Sequence, residues 1–416
     1  LEGITMRASN RVLLGIILVV ALIGALSACT PGPIVEPNPC DGTQPAAGRV
    51  YAPSTSWNLP AACFALRSDS SRWADNWFNN SNRAAFLGDP AARGHMSVGL
   101  DTYSTPVYDA ADQTKRLRVI TSMYGHNLGA DDTIPWNPTW EPSAGNDQEM
   151  IIVDRSTGRE WGLWLVQKQN DSACQKPQNW MMGYTSGVDL CVGQAIIGRT
   201  PAGAISDFRK DSGISNTAAR GLGAVNPLAL LPTLDEIETG AIRHALNNEV
   251  YNPLFGRGCE QRELGTAADG RDCGYAIVPG SRYERLGGPE DCKADSMPNT
   301  VEARSKTVPE GMRFNLRITD DQIERWLDSR QFSGKKRSTA RIFAVALRDY
   351  GWIVSDSTCW DSNISVEGVA NPKARDRWRE LGIVPSDGPG LLNGLIKVGM
   401  VETRQAPSAQ IFTNLA

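Results

Sequence analysis

The sequence predicts a β-rich α+β fold, with a β-sandwich or jelly-roll-like core and several peripheral helices. Three observations predict it. Between positions 50 and 199 the apolar residues follow strand-like patterns separated by long loops. Helical patterns come later, interspersed with further strands, as in α+β chains. The 25 prolines and 40 glycines supply many turns.

The elements follow in order. A short helix around Ser71–Asn79 carries Trp73 and Trp77 on one face. Positions 96–107 form a patchy strand region, and Arg116–Tyr124 is partly alternating and β-branched. Gln148–Asp154 reads as a strand, Arg155–Arg159 as a turn with Gly158 in the left-handed position, and Glu160–Gln167 as the return strand of a hairpin. Asp235–Asn247 has helical spacing, with Ile237, Ala241, Ala245 and His244 along one side. Thr319-Asp320-Asp321-Gln322 is a capping box, so a helix starts there and runs to about Arg330. Ser338–Tyr350 is a helix closed by Gly351. Trp352–Ser355 reads as a buried strand and Pro372–Leu381 as a short charged helix. No internal repeat of solenoid or propeller period is present.

The N-terminus sets the compartment. Arg7 and Arg11 precede an apolar run, Val12–Leu26, which ends in Leu26-Ser27-Ala28-Cys29. A basic stretch, an apolar stretch and a small-residue cleavage site make an export signal. With cysteine after the small pair, the string resembles a bacterial lipobox, which implies cleavage before Cys29 and lipid on its thiol. Leu1–Thr5 precede Met6 and read as a start-site artefact. Residues 1–28 are then the signal, and 29–49 a lipidated, proline-rich tether. Residues 50–416 form the extracytoplasmic domain, single or split into two subdomains near 200–230. No other run is long and apolar enough to span a bilayer. The expected partners are a membrane, through Cys29, and a polysaccharide or cell-wall glycan. The formal charge of −4 becomes −5 once Glu2, Arg7 and Arg11 are removed, which argues against nucleic acid.

Without Cys29 the cysteines number eight, and export makes pairing the default. Cys40–Cys63 and Cys174–Cys191 are the close-in-sequence pairings. Cys259, Cys273, Cys292 and Cys359 supply two more. No Cys/His cluster has zinc spacing, so no metal site or cofactor is identified; calcium is left open.

The sequence contains no GxSxG elbow, Walker A loop or HExxH motif. Asp147-x-Glu149 leads the predicted hairpin strand. Residues i and i+2 of a strand share a face. Two carboxylates on one face can divide into acid and base, the pair that glycoside hydrolysis uses; a solvated strand end is the plainer explanation. Trp136 and Trp140 lie in a proline-rich loop, where exposed indoles would suit sugar rings as well as a core. Trp161 and Trp164 fit core packing. His244 is a catalytic candidate, though a histidine among apolar residues is more often structural. His126, in the loop Tyr124-Gly125-His126-Asn127, is a candidate for binding substrate. Asp356, at the exit of the Trp352 strand, and Asp189 could each reach a cleft.

A resemblance joins several of these positions. It rests on Ser56-Trp57-Asn58, Asp147-x-Glu149-Met150 leading to Asp154, Glu236 with Gly240-x-Ile242-x-His244-Ala245-Leu246, and Ala346-Leu347-x-x-Tyr350-Gly351. Together they resemble a poorly characterised family of secreted bacterial proteins found in extracellular polysaccharide contexts. The resemblance spans most of the mature chain and adds Trp57 to the substrate-binding candidates. A histidine is common in that family where Glu149 stands, which makes Asp147 the firmer of the two acids. The expected function is a surface lipoprotein acting on a polysaccharide, as a glycoside hydrolase or, by elimination, a lyase. The catalytic candidates are Asp147, Glu149, His244 and Asp356. The alternative is a non-catalytic glycan-binding or envelope-scaffold lipoprotein. A peptidoglycan-directed or peptide-bond enzyme using His244 is a third option.

Overall fold

Sixteen strands, in chain order, make up the sheets among the described residues of the computed structural model. They are β1 (Ser97–Gly99), β2 (Val107–Asp109), β3 (Lys115–His126), β4 (Thr133–Trp136), β5 (Met150–Asp154), β6 (Arg159–Trp164), β7 (Asp189–Ile197), β8 (Leu246–Val250), β9 (Arg257–Gly258), β10 (Cys273–Gly274), β11 (Ala276–Ile277), β12 (Arg313–Leu316), β13 (Trp352–Ser357), β14 (Asn363–Ser365), β15 (Val401–Arg404) and β16 (Ile411–Phe412). The structure describes residues 38–129, 132–167, 188–217, 221–265, 269–284 and 300–414. Pro39–Ala416 forms one compact unit. Cys29 and the first part of the proline-rich tether lie outside the described residues.

One six-stranded sheet has the order β2-β5-β6-β7-β3-β4, the other β1-β14-β8-β13-β12-β15. Both mix parallel and antiparallel neighbours. The parallel pairs β2–β5, β3–β7, β1–β14 and β8–β13 are not part of the antiparallel plan of a jelly roll. The α+β expectation holds.

The β5–β6 hairpin forms as its turn chemistry predicts. Gly158 has φ 73°, and a Cβ there would lie 1.7 Å from Asp207 Oδ1. Asp154 Oδ1 accepts from the Ser156 and Thr157 amides. Both faces of β5 are buried. Met150 and Ile152 pack with Trp161 and Leu163 on one side, whereas Ile151 and Val153 face Ile353 of the other sheet and Trp57. The layer between the sheets is therefore apolar.

The helices are α1 (Ser70–Asn80), α2 (Arg83–Phe86), α3 (Leu234–Glu238), α4 (Val301–Ser305), α5 (Asp320–Ser329), α6 (Gly334–Asp349) and α7 (Pro372–Glu380). Trp73 and Trp77 of α1, Trp326 of α5, Phe343 and Leu347 of α6 and Trp378 of α7 join Phe314, Trp352 and Val354 in the largest apolar cluster. At the start of α5, Gln322 N donates to Thr319 Oγ1 and Thr319 N to Gln322 Oε1, the reciprocal cap read from the sequence. Gly351, φ 74°, closes α6.

Two local expectations are corrected. The helix predicted over 235–247 stops at Glu238, because Gly240 takes φ 89° and residues from Leu246 pair with β13 as β8. Tertiary pairing overrides helical spacing here. The strand predicted from Gln148 starts at Met150, because Gln148 has φ 44° and breaks the extended chain.

Cys40–Cys63 forms as expected, and Cys259 pairs with Cys273. Cys191 and Cys359 are also disulfide-bonded. Cys174, half of the expected Cys174–Cys191 pair, lies outside the described residues, as does Cys292.

Candidate functional site

The parallel pair β8–β13 builds the site at its carboxyl end. Its register runs evenly to Val354↔Asn248, then skips Ser355, so that Asp356 lies opposite Glu249. Such a bulge re-aims the side chains that follow it. Ser355 Oγ accepts the Asn248 amide at 3.2 Å, and the Ser355 carbonyl accepts the Leu222 amide at 3.0 Å. Asn363 of β14 flanks Glu249 from the other side and donates to its Oε2 at 3.2 Å. Asn248 fixes this end: it accepts from Trp77 Nε1 and donates to Ser362 Oγ and the Asn363 carbonyl.

Asp356 is hydrogen-bonded to Glu284. Its Oδ1 accepts the Ser357 amide at 2.8 Å and its Oδ2 the Gly221 amide at 3.4 Å. Burial pushes the Asp356 carboxyl well above the ordinary carboxylate range, and nearby Glu284, Glu249 and Glu310 push it further. Glu284 Oε2 also accepts the Ser357 amide, at 3.0 Å. Glu284 lies against Gly221, where a Cβ would stand 2.4 Å from its Cδ.

Asp147 stands three residues ahead of β5 in the other sheet and interacts electrostatically with Glu284. Its Oδ1 accepts from Trp164 Nε1 at 3.5 Å. Burial raises its carboxyl, and the Glu284 charge adds to the rise. The phenol of Tyr103 is raised mainly by burial, then by Asp147, and more weakly by Glu249. Tyr103 donates to Asn146 Oδ1 at 3.0 Å and is hydrogen-bonded to Trp360.

Aromatic rings border these carboxyls. Trp164 stands 5.6 Å from Tyr124, centroid to centroid. Tyr124 is exposed because β3 and β7 lose register between Thr121 and Gly125, which turns Met123 and Tyr124 outward. Trp360, hydrogen-bonded to Tyr103, is half exposed beneath the Arg83 guanidinium. Arranged this way, a buried acid beside further carboxylates can move a proton, and the indole faces can hold a flat apolar surface.

Asp147 and Asp356 are thus linked through Glu284, which raises both carboxyls, and the other candidates are placed differently. Glu149 lies beside Trp164, whose indole donates to Asp147. It accepts from Thr105 Oγ1 at 3.2 Å in a narrow crevice with Gly162, Trp164 and Pro227. Trp136 and Trp140 are not exposed platforms: each is 3% exposed, and they meet edge to face in the core under the first sheet. Trp57 is 1% exposed in the layer between the sheets. His126 lies at the end of β3 with Nδ1 3.7 Å from Asp132 Oδ1. His244 is buried, with Nδ1 2.8 Å from the Ala245 carbonyl oxygen and Nε2 3.0 Å from Glu236 Oε2. Burial opposes its protonation most strongly, but Glu236 outweighs it and raises the imidazole pKa overall. Asp189 is bound bidentately by Arg118.

Glu249, Glu284, Glu310, Tyr103 and Trp360 were missed. The polar run Asn247-Asn248-Glu249 ahead of Val250 was the one local signal. Among the described residues, no group of three or more His, Cys, Asp or Glu side chains is placed to hold a metal ion. No protein-family model, curated protein or solved structure matches the chain.

Proposed function

We propose that the chain is an extracytoplasmic lipoprotein, anchored through Cys29, that cleaves a polysaccharide by carboxylate acid/base chemistry. One observation carries the reading: Asp356, part-buried and hydrogen-bonded to Glu284, has its carboxyl pushed well above the ordinary carboxylate range, and the Glu284 charge raises the carboxyl of a second acid, Asp147, as well. Asp356 donates the proton to the departing glycosidic oxygen, and Asp147 acts at the sugar carbon as nucleophile or through water. Trp164, Tyr124 and Trp360 hold the sugar rings. The test is release of reducing ends from a panel of cell-wall and plant polysaccharides. Asp356→Asn is expected to reduce turnover by about a hundredfold or more, the ordinary scale of a lost general acid. Failure to cleave any of them with folded protein counts against the reading.

A second reading, a glycan-binding lipoprotein without turnover, is favoured by the engagement of both Asp356 oxygens with backbone amides. It expects glycan binding that survives Asp147→Asn and Asp356→Asn but is lost in Trp360→Ala.

A further inference from the structure

A groove of about 780 Å³ lies at the far end of β13 from Asp356. Four elements meet around it. Arg317 follows β12, Gln322 lies in the first turn of α5, Arg348 in the last turn of α6, and Met400 just ahead of β15; all four line the groove. Tyr350 lines it too, two residues ahead of β13. Asp356 comes six residues later in the chain, so the groove and the acidic cleft are roughly 20 Å apart along the strand direction.

The charged groups of the lining come as donor–acceptor couples. Arg404 Nη2 donates to Glu402 Oε2 at 2.7 Å, and its Nε to Asn315 Oδ1 at 2.8 Å. Arg348 Nε donates to Asp349 Oδ1 at 2.7 Å. Each couple is neutral as a whole and shows donors and acceptors side by side. A hydroxyl both gives and takes a hydrogen bond, so neighbouring hydroxyls match such a couple, whereas a lone ion meets a group already neutralised. Single donors stand between the couples. Gln322 gives its Oε1 to the Thr319 amide at 2.7 Å and keeps Nε2 for a ligand. The Tyr350 hydroxyl makes no hydrogen bond among the described residues, while Arg313 Nε holds the Tyr350 carbonyl at 2.9 Å. Pro60, Ala62, Ile318 and Met400 add apolar surface, which suits the C–H face of a sugar ring. Side chains already held by their neighbours lose little freedom when a ligand arrives.

We propose that this groove is a second saccharide-binding site, which holds a distant stretch of the polysaccharide engaged at the acidic cleft. The proposal rests on the reading that the chain acts on or binds a polysaccharide. The groove alone is a weak site. Its contribution is avidity: a polymer long enough to reach both places turns the second contact into an intramolecular one.

The test is native affinity electrophoresis of the whole chain in gels holding polygalacturonate, arabinoxylan or mixed-linkage β-glucan. At least one polymer is expected to retard the wild type. Ala62→Trp, which fills the groove from an exposed position, should weaken that binding roughly tenfold. Tyr350→Phe and Arg317→Ala should each weaken it about threefold, the scale of one hydrogen bond, and Arg116→Gln, on the other sheet, not at all. Melting temperatures check that each variant is folded; should Ala62→Trp fail to fold, the other two groove variants decide. Retardation weakened by the groove variants supports the proposal, whether or not the polymer is cleaved. If the folded groove variants are retarded as the wild type is, the groove proposal is overturned, while cleavage, or binding that Trp360→Ala weakens, leaves the reading of the acidic cleft standing. If no polymer retards the wild type, the groove proposal falls as well, and if none is cleaved either, the polysaccharide reading falls with it.

Discussion

Asp356 faces Glu249 across the β13–β8 pair because Ser355 is left out of the ladder. With an even register, the residue opposite Glu249 would be Ser355. A single skipped residue therefore brings the acid of one strand onto the acid of the next. The carboxyls are crowded at this point by register, against their mutual repulsion, which is the usual sign of a site under functional constraint.

Replacing Asp356 is expected to change the pH profile of stability. Its folded pKa is raised, so the protonated form stabilises the fold at low pH, and that contribution is lost as pH rises through the folded pKa. Asp356→Asn should leave the melting temperature near pH 4 almost unchanged and raise it at pH 8. Thermal melts across pH test this, and a lower melting temperature at pH 8 would contradict it.

Glu160 supplies the same logic away from the site. It is fully buried, accepts from the Tyr51 hydroxyl and the Leu228 amide, and has its pKa pushed from 4.5 up to about 7 by burial. Its proton stabilises the fold below about pH 4.5, and that contribution fades as pH rises through about 7. The rise corresponds to about 3 kcal/mol. Urea denaturation at pH 5 and pH 8 should show a smaller loss in Glu160→Gln than in the wild type. Glu367, also pushed up to about 7, keeps part of the slope in both proteins.

Gly221→Ala should injure the site more than the fold. Its Cβ would press on Glu284 and displace the partner of Asp356. Activity, or glycan affinity under the second reading, is expected to fall about tenfold or more, with a stability change near 1 kcal/mol. Equal loss of both, measured on the same preparation, would assign Gly221 to the fold alone.

The tryptophans divide by role. Trp136→Ala removes a buried ring and should cost about 3–5 kcal/mol of stability. Trp360→Ala removes a half-exposed ring and should change stability by less than about 1 kcal/mol while weakening glycan binding about tenfold. Chemical denaturation beside affinity electrophoresis separates the two effects.

The parts legible in the sequence are those set by neighbours in the chain. The Thr319–Gln322 cap, the Gly158 turn and the Gly351 stop each depend on a few adjacent residues, and each forms as read. Asp356 was visible as an acid at a strand exit. Glu249 and Glu284 were not, because their meeting with Asp356 depends on a parallel pairing between distant segments and on a bulge with no local signature. Trp136 misled because a proline-rich run reads as an exposed loop. Pro135 instead sits in β4 at the edge of its sheet, where a missing amide is tolerated, and its neighbour turns into the core.

β15 also clasps the beginning of the domain. β15 pairs with β12, while Thr403 bonds Ser70 and Arg67, and the Gln405 amide reaches the Ala65 carbonyl. A chain delivered amino-terminus first must hold residues 65–70 without their partners until β15 arrives. Contacts of such long sequence separation slow folding and lengthen the exposure of unpaired edges. Completion of this domain therefore waits for β15, and a chain released short of that strand would carry an open flank that invites association with its neighbours.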